Sequence, residues 1–184
     1  MRSSLRVLLV EDSMTDAKLI IQELRRAKPD VEFERVETDK TMRAALENGN
    51  WDVIISDWSM PKFSALAALA VAQKSGLDLP FIIASGTIGE EHAVEAMRAG
   101  AHDYVLKDKL ARLAPAVERE IRDHQMRVDH RREQTRFRAL IEKSSEGIVV
   151  SSKLVENDEE VTVAFAGKGV KRLLASFAKL EKAE

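Results

Sequence analysis

Short buried runs and helical segments follow one another along the first two-thirds of the chain. Arg6–Val10 (Arg-Val-Leu-Leu-Val) carries no polar alternation, the pattern of a strand covered on both faces. It runs into Glu11 and Asp12. With Ser13 or Asp12 as cap, Met14, Ala17, Ile20, Ile21 and Leu24 then recur at helical spacing until Pro29. Val31–Glu37 alternates as a half-exposed edge strand, and Thr38–Leu46 reads as a short helix capped by Thr38 or Asp39, with Gly49 beyond its end. Val53, Ile54 and Ile55 form a second strand of the fully buried kind, ending in Ser56 and Asp57, and Pro61 stops any regular continuation. An alanine- and leucine-rich helix is predicted from Ser64 to Gly76, and a strand over Leu79–Ala84. Thr87 and Glu90 are spaced as a capping box for a helix that Gly100 closes. Tyr104–Lys107 is the fifth strand, and from Lys109 a helical pattern continues through Leu113, Val117 and Ile121 past Val128.

Strands alternating with helices predict an α/β domain, a parallel sheet with right-handed crossovers and helices on both faces. Five such units give a five-stranded, doubly wound, flavodoxin-like arrangement with an extended C-terminal helix. Open sheets of this kind place their ligands outside the carboxyl ends of the strands, which is where Asp57 falls.

Composition narrows the chemistry. The 184 residues can hold one full domain plus a smaller piece, or one domain with a long tail. The formal net charge of −2 gives no electrostatic reason to expect nucleic acid. With no cysteine, disulfides, thiol nucleophiles and thiolate metal sites are excluded. The start, Met1-Arg2-Ser3-Ser4-Leu5-Arg6, leads into only a handful of apolar residues before Glu11, too few for a signal peptide or a membrane span. The expectation is a cytoplasmic protein without a membrane partner.

Polar groups gather at one end of the predicted sheet. The first strand delivers Glu11 and Asp12, the third Asp57, the fourth the Ser85 hydroxyl and the fifth Lys107. Each alone is ordinary, since an acidic pair often starts a helix and a lone lysine is usually solvated. Three carboxylates crowded together repel by about 1–4 kcal/mol per pair, depending on the effective dielectric. They need a cation, and hard oxygen ligands with room for water suit Mg²⁺. A carboxylate beside Mg²⁺ and the Lys107 ammonium is placed to attack phosphorus and carry a phosphoryl group, while Ser85 hydrogen-bonds a phosphoryl oxygen.

With Glu11-Asp12, Asp57-Trp-Ser-Met-Pro61, Ser85-Gly86 and Gly100-Ala-His-Asp-Tyr104-Val-Leu-Lys107 in view, roughly residues 5–125 resemble the receiver domain of two-component response regulators. The resemblance implies the strand order 2-1-3-4-5. It implies Asp57 as phospho-acceptor from a histidine kinase or a histidine phosphotransfer protein. Mg²⁺ would be held by Asp12, Asp57 and the backbone carbonyl of Ser59, with Glu11 acting mainly through water. Lys107 would contact the phosphoryl group, and Ser85 and Tyr104 would turn inward as a two-state switch. Such a module is no enzyme beyond its own phosphotransfer and slow autodephosphorylation. Two positions depart from the family pattern: Asp108 follows the lysine where proline is usual, and Ala65 stands near the usual loop glycine.

The rest divides into a helical linker over 126–143 and a segment over 144–184. Glu118–Lys143 is dense in both charges, with a thin apolar seam at Val117, Ile121 and Val128 that fits a solvated helix or a coiled coil, and a homodimer is expected. His130 is followed by Arg131-Arg132 rather than an acidic residue, so neither it nor His124 reads as a kinase phospho-histidine; both are expected at the surface. Arg136–Val150 resembles the start of a PAS domain, a short helix and then a strand, with a second strand at Val161–Phe165 and a helix at Gly169–Ala178 making a small α+β tail. A fragment this size buries too little to fold alone. Other readings are a receiver-like module that is never phosphorylated, the N-terminal regulatory part of a hybrid sensor kinase, and an aspartate-nucleophile phosphohydrolase. The hydrolase wants an acid where Ser59 stands, and a flavin site lacks a phosphate loop. Nothing identifies the downstream protein partner.

Overall fold

The computed structural model describes residues 4–86, 90–143, 148–155, 158–165 and 169–174. The chain forms two compact units, Met1–Met126 and Arg127–Glu184. The first contains β1 (Leu5–Val10), α1 (Met14–Ala27), β2 (Val31–Val36), α2 (Asp39–Asn48), β3 (Val53–Asp57), α3 (Ala65–Lys74), β4 (Phe81–Ser85), α4 (Glu90–Ala99) and β5 (Asp103–Leu106). A 3₁₀ segment, Lys107–Arg112, leads into α5 (Leu113–Lys143), which passes into the second unit. The five strands are parallel in the order β2-β1-β3-β4-β5, the doubly wound arrangement expected.

The two-residue period of a strand explains why β1, β3 and β4 carry no polar face. Leu8, Val10, Ile54, Phe81 and Ile83 join one buried cluster with Met42, Leu46, Phe63 and Leu69 from the α2–α3 side. Their neighbours Val7, Leu9, Ile55, Ile82 and Ala84 join the other, with Ile20 and Leu24 of α1 and Leu113 and Val117 of α5. At the sheet edge only Val31 and Val36 of β2 are buried, and Phe33 lies 42% exposed.

Local signals set the helix ends. Ser13 Oγ accepts from Asp16 N at 3.2 Å, Thr38 and Thr41 exchange hydrogen bonds as a capping box, and Ser64 Oγ accepts from Ala67 N at 3.3 Å. The expected box at Thr87 and Glu90 begins outside the described residues. Gly100 ends α4 at φ +104°, and a Cβ there would come within 2.9 Å of Gln73 Nε2, the group that donates to Ala99 O. His124, expected at the surface, is half-buried with Nδ1 3.9 Å from Asp78 Oδ1. No helix among the described residues is long and apolar enough to cross a membrane.

The second unit holds an antiparallel meander of β6 (Ile148–Val155), β7 (Asp158–Phe165) and β8 (Gly169–Leu174). Two expectations are corrected here. The short helix expected from Arg136 is the end of α5, and the helix expected at Gly169–Ala178 is, over Gly169–Leu174, the strand β8. Val170, Leu173 and Leu174 have i, i+3, i+4 spacing, but pairing of Gly169–Leu174 with Glu160–Phe165 of β7 overrides that period. Residues 175–178 lie outside the described residues.

Both tryptophans, Trp51 and Trp58, belong to the first unit, so their fluorescence follows that unit alone. Ile83→Ala, at a site with no exposure, is expected to destabilise it by about 2–5 kcal/mol. Leu19→Ala, at a half-exposed position of α1, is expected to stay within about 0.5 kcal/mol. Urea unfolding followed by tryptophan emission checks both; equal midpoints for the two variants would contradict the assigned core.

Candidate functional site

The strand register assembles the polar groups. β1 and β3 pair Val10 with Ser56, so the next residues, Glu11 and Asp57, leave the sheet beside one another. β4 and β5 pair Ser85 with Leu106, which puts Lys107 one residue past the ladder at the same edge. Carboxylate oxygens of Glu11, Asp12 and Asp57 lie within 4.8 Å of one another, Glu11 and Asp57 buried and Asp12 exposed. Lys107 Nζ donates to Glu11 Oε2 at 2.8 Å and stands 3.1 Å from Asp57 Oδ1. The second Glu11 oxygen accepts from Ser13 N at 2.9 Å, fixing the carboxylate at the mouth of α1. Ser85 is buried at the end of β4. Tyr104 is half-buried against the α2–α3 side of the core, and Ser59 is exposed two residues past Asp57. The peptide between Lys107 and Asp108 is trans.

Electrostatics follow from burial and pairing. Desolvation pushes the Glu11 pKa up, and that effect outweighs the hydrogen bonds from Lys107 and Ser13 that favour its charged form. Burial acts against the Lys107 ammonium as well, but hydrogen bonds to Asp16 and Glu11 and the charge of Asp57 reverse the balance and push its pKa up. Lysine and glutamate thus shift in the same direction for different reasons. Lys107 faces three acids and stays charged, whereas Glu11 has lost its water and shares its one cation.

Two further residues, Asp16 and Arg35, shape the site without having been singled out by the sequence. Asp16, in the first turn of α1, accepts from Lys107 Nζ at 2.6 Å. An acidic residue in the first turn of a helix has a local reason of its own, so no signal in the sequence pointed from Asp16 to the site. Arg35 of β2 donates through Nη1 to Glu11 O at 2.9 Å and Asp12 O at 3.3 Å, tying the edge strand to the loop that carries the acidic pair. Trp58 stacks on His92 of α4 with ring centroids 4.9 Å apart, which links the segment after Asp57 to the next helix. The donor set of three carboxylates, one open to water, fits a hard divalent cation.

The sequence matches the response regulator receiver domain over residues 7–118, and the chain belongs to that family, the receivers of two-component signalling. It is similar to the chemotaxis protein CheY homolog of Campylobacter jejuni, 28% identical over 105 residues that make up 56% of this chain and 81% of that protein. It is also similar to the chemotaxis protein CheY of Pseudomonas aeruginosa, 27% identical over 105 residues, 56% of this chain and 84% of that one. Among solved structures, the receiver domain of Francisella response regulator 1452 aligns with a TM-score of 0.57 at 24% identity, covering 64% of this chain and 97% of that one. A response regulator receiver domain protein from Clostridium thermocellum aligns at 0.57 and 25%, covering 66% and 98%. Residues 142–182 match the PcrA/UvrD tudor domain; the likeness to a PAS domain expected for this tail is not supported.

Lys107→Met leaves Glu11, Asp16 and Asp57 without their shared cation. In metal-free buffer near neutral pH it is expected to cost about 1–3 kcal/mol. Glu11 already binds its proton more tightly folded than unfolded, so acidification favours the fold, and the deficit should shrink as the pH falls from about 7 toward 5. Urea midpoints of the variant and the parent at both pH values check this; a deficit that grows on acidification would contradict it.

Proposed function

We propose that this protein is a phosphorylation-controlled response regulator whose acceptor is Asp57. The observation that carries the reading is the Lys107 ammonium 3.1 Å from Asp57 Oδ1, with carboxylate oxygens of Glu11 and Asp12 within 4.8 Å. An Asp57 oxygen attacks the phosphorus of a phosphohistidine, on a histidine kinase or a histidine phosphotransfer protein. The phosphorus–nitrogen bond breaks and the imidazole departs with the bonding pair. Lys107 neutralises charge that builds on the phosphoryl oxygens, and the Ser85 hydroxyl donates to one of them. Mg²⁺, held by Asp12, Asp57 and the Ser59 carbonyl with Glu11 acting through water, supplies the remaining charge compensation when bound.

The output follows from the same groups. Ser85 turns toward the phosphoryl group and Tyr104 moves inward, changing the surface around α4 and β5. The Trp58–His92 stack supports this route, because it joins the residue after the acceptor directly to α4. No turnover of an external substrate belongs to this reading. The protein works in the cytoplasm, as a homodimer, through protein contacts rather than nucleic acid or membrane. The receiver spans 5–125 and the linker helix 126–143.

Intact mass after incubation with an acyl-phosphate donor is expected to show one added phosphoryl group that requires Mg²⁺ and is absent in Asp57→Asn. Mg²⁺ alone is expected to change Trp58 emission in the parent and much less in Asp57→Asn. Silence in both measurements favours the module that is never phosphorylated. Light scattering with and without a phosphoryl analogue checks the dimer, and a monomeric mass in both states would contradict it.

A further inference from the structure

The Lys107 ammonium donates to two carboxylates at rest and stands beside a third. It has three N–H donors, and three carboxylates lie within reach: Asp16 Oδ2 at 2.6 Å, Glu11 Oε2 at 2.8 Å and Asp57 Oδ1 at 3.1 Å. A phosphoryl group on Asp57 adds further oxygen acceptors and about −1.5 to −2 of charge. The contact with Asp57 Oδ1 passes to the phosphoryl group itself, and an ammonium drawn toward the added oxygens stretches its hydrogen bonds to Glu11 and Asp16, so that one of these two loosens. Glu11 is the poor candidate, since it has no exposure and its other oxygen is fixed by Ser13 N at 2.9 Å. Asp16 is the ready one. Its side chain is 36% exposed, so water replaces the ammonium at little cost. It also sits on α1, whereas Glu11, Asp57 and Lys107 stand at or just past the ends of β1, β3 and β5.

We propose that Asp16 is a positioning residue that competes with the phosphoryl group on Asp57 for the Lys107 ammonium. The proposal rests on Asp57 being the acceptor. Asp16 holds Nζ in a resting place, and phosphorylation draws the ammonium off it. The Asp16–Lys107 contact is therefore broken in the phosphorylated state and made in the resting one. Its strength subtracts from the affinity of the site for a phosphoryl group, so a residue outside the acceptor cluster sets how readily the switch closes. Asp16 contributes to the α1 cap through its backbone N–H, which any substitution except proline keeps, and Asp16→Asn preserves the side chain's size.

The test is titration with beryllofluoride, an unreactive phosphoryl analogue, in the presence of Mg²⁺, followed by Trp58 emission in the full chain. Asp16→Asn is expected to lower the half-saturating concentration roughly three- to fivefold, the range of a partly exposed ion pair. In a Lys107→Met background the same substitution is expected to have no effect. Unchanged half-saturation in Asp16→Asn would overturn the proposal. So would a gain that persists without Lys107, because plain charge repulsion then accounts for it. If Lys107→Met takes up no analogue, the Asp16 carboxyl ¹³C signal in the parent decides. It moves to the position of a solvated carboxylate on analogue binding if the ammonium leaves, and a signal that stays in place overturns the proposal. A parent protein that fails to respond to the analogue at all removes the Asp57 reading itself, and this inference with it.

Discussion

One ammonium group makes the acidic edge of this sheet tenable. Glu11 follows β1, Asp16 lies on α1 and Asp57 ends β3, and all three converge on Nζ of Lys107 within 3.1 Å. Without that charge two buried carboxylates would face each other across an apolar edge, where repulsion and lost hydration both act against the ionised forms. The lysine stands at the joint between β5 and the 3₁₀ segment, after the last strand of the sheet. The charge balance of the first strand's loop is thus completed by a residue 96 positions away. An acidic cluster of this kind cannot be dissected one strand at a time.

The remainder of the receiver is arranged so that the cluster stands at a rigid edge. Consecutive apolar residues in β1, β3 and β4 feed two separate cores, one on each face, so a slip of register by one residue would exchange the entire contents of the two. The register in turn puts Glu11 beside Asp57 and Lys107 just past Ser85. Arg35 adds a clamp from the edge strand by binding two carbonyls of the acidic loop, so that even β2, half-exposed along its length, contributes to the geometry. Packing and site chemistry are one constraint here.

The sequence made the strands of the receiver legible because burial on both faces leaves an unbroken apolar run, as in Val53–Ile55 and Phe81–Ala84. Asp57 and Lys107 could be found because they end such runs. Asp16 could not, since an aspartate in the first turn of a helix has a sufficient local reason to be there and its partner is 91 residues distant. Arg35 was hidden by the alternation of an edge strand, which explains an arginine as a solvated side chain. The tail failed differently. The helical spacing of Val170, Leu173 and Leu174 is real, but in so short a segment the pairing partner decides, and β7 was there to pair.

The strand order has a consequence for how the receiver is made on the ribosome. β1 is the first of the five strands to be synthesised yet lies inside the sheet, between β2 and β3, with Val7–Val10 fully buried. Its second neighbour begins at Val53, and its α1 side is not closed until Leu113 and Val117 of α5 arrive. At about 5–20 residues per second the stretch through Val117 takes roughly 6–23 s to translate, far longer than a helix or a loop needs to form. An apolar interior strand therefore waits uncovered on the nascent chain. The pace of translation, more than chain diffusion, sets the earliest moment at which the acidic site can exist.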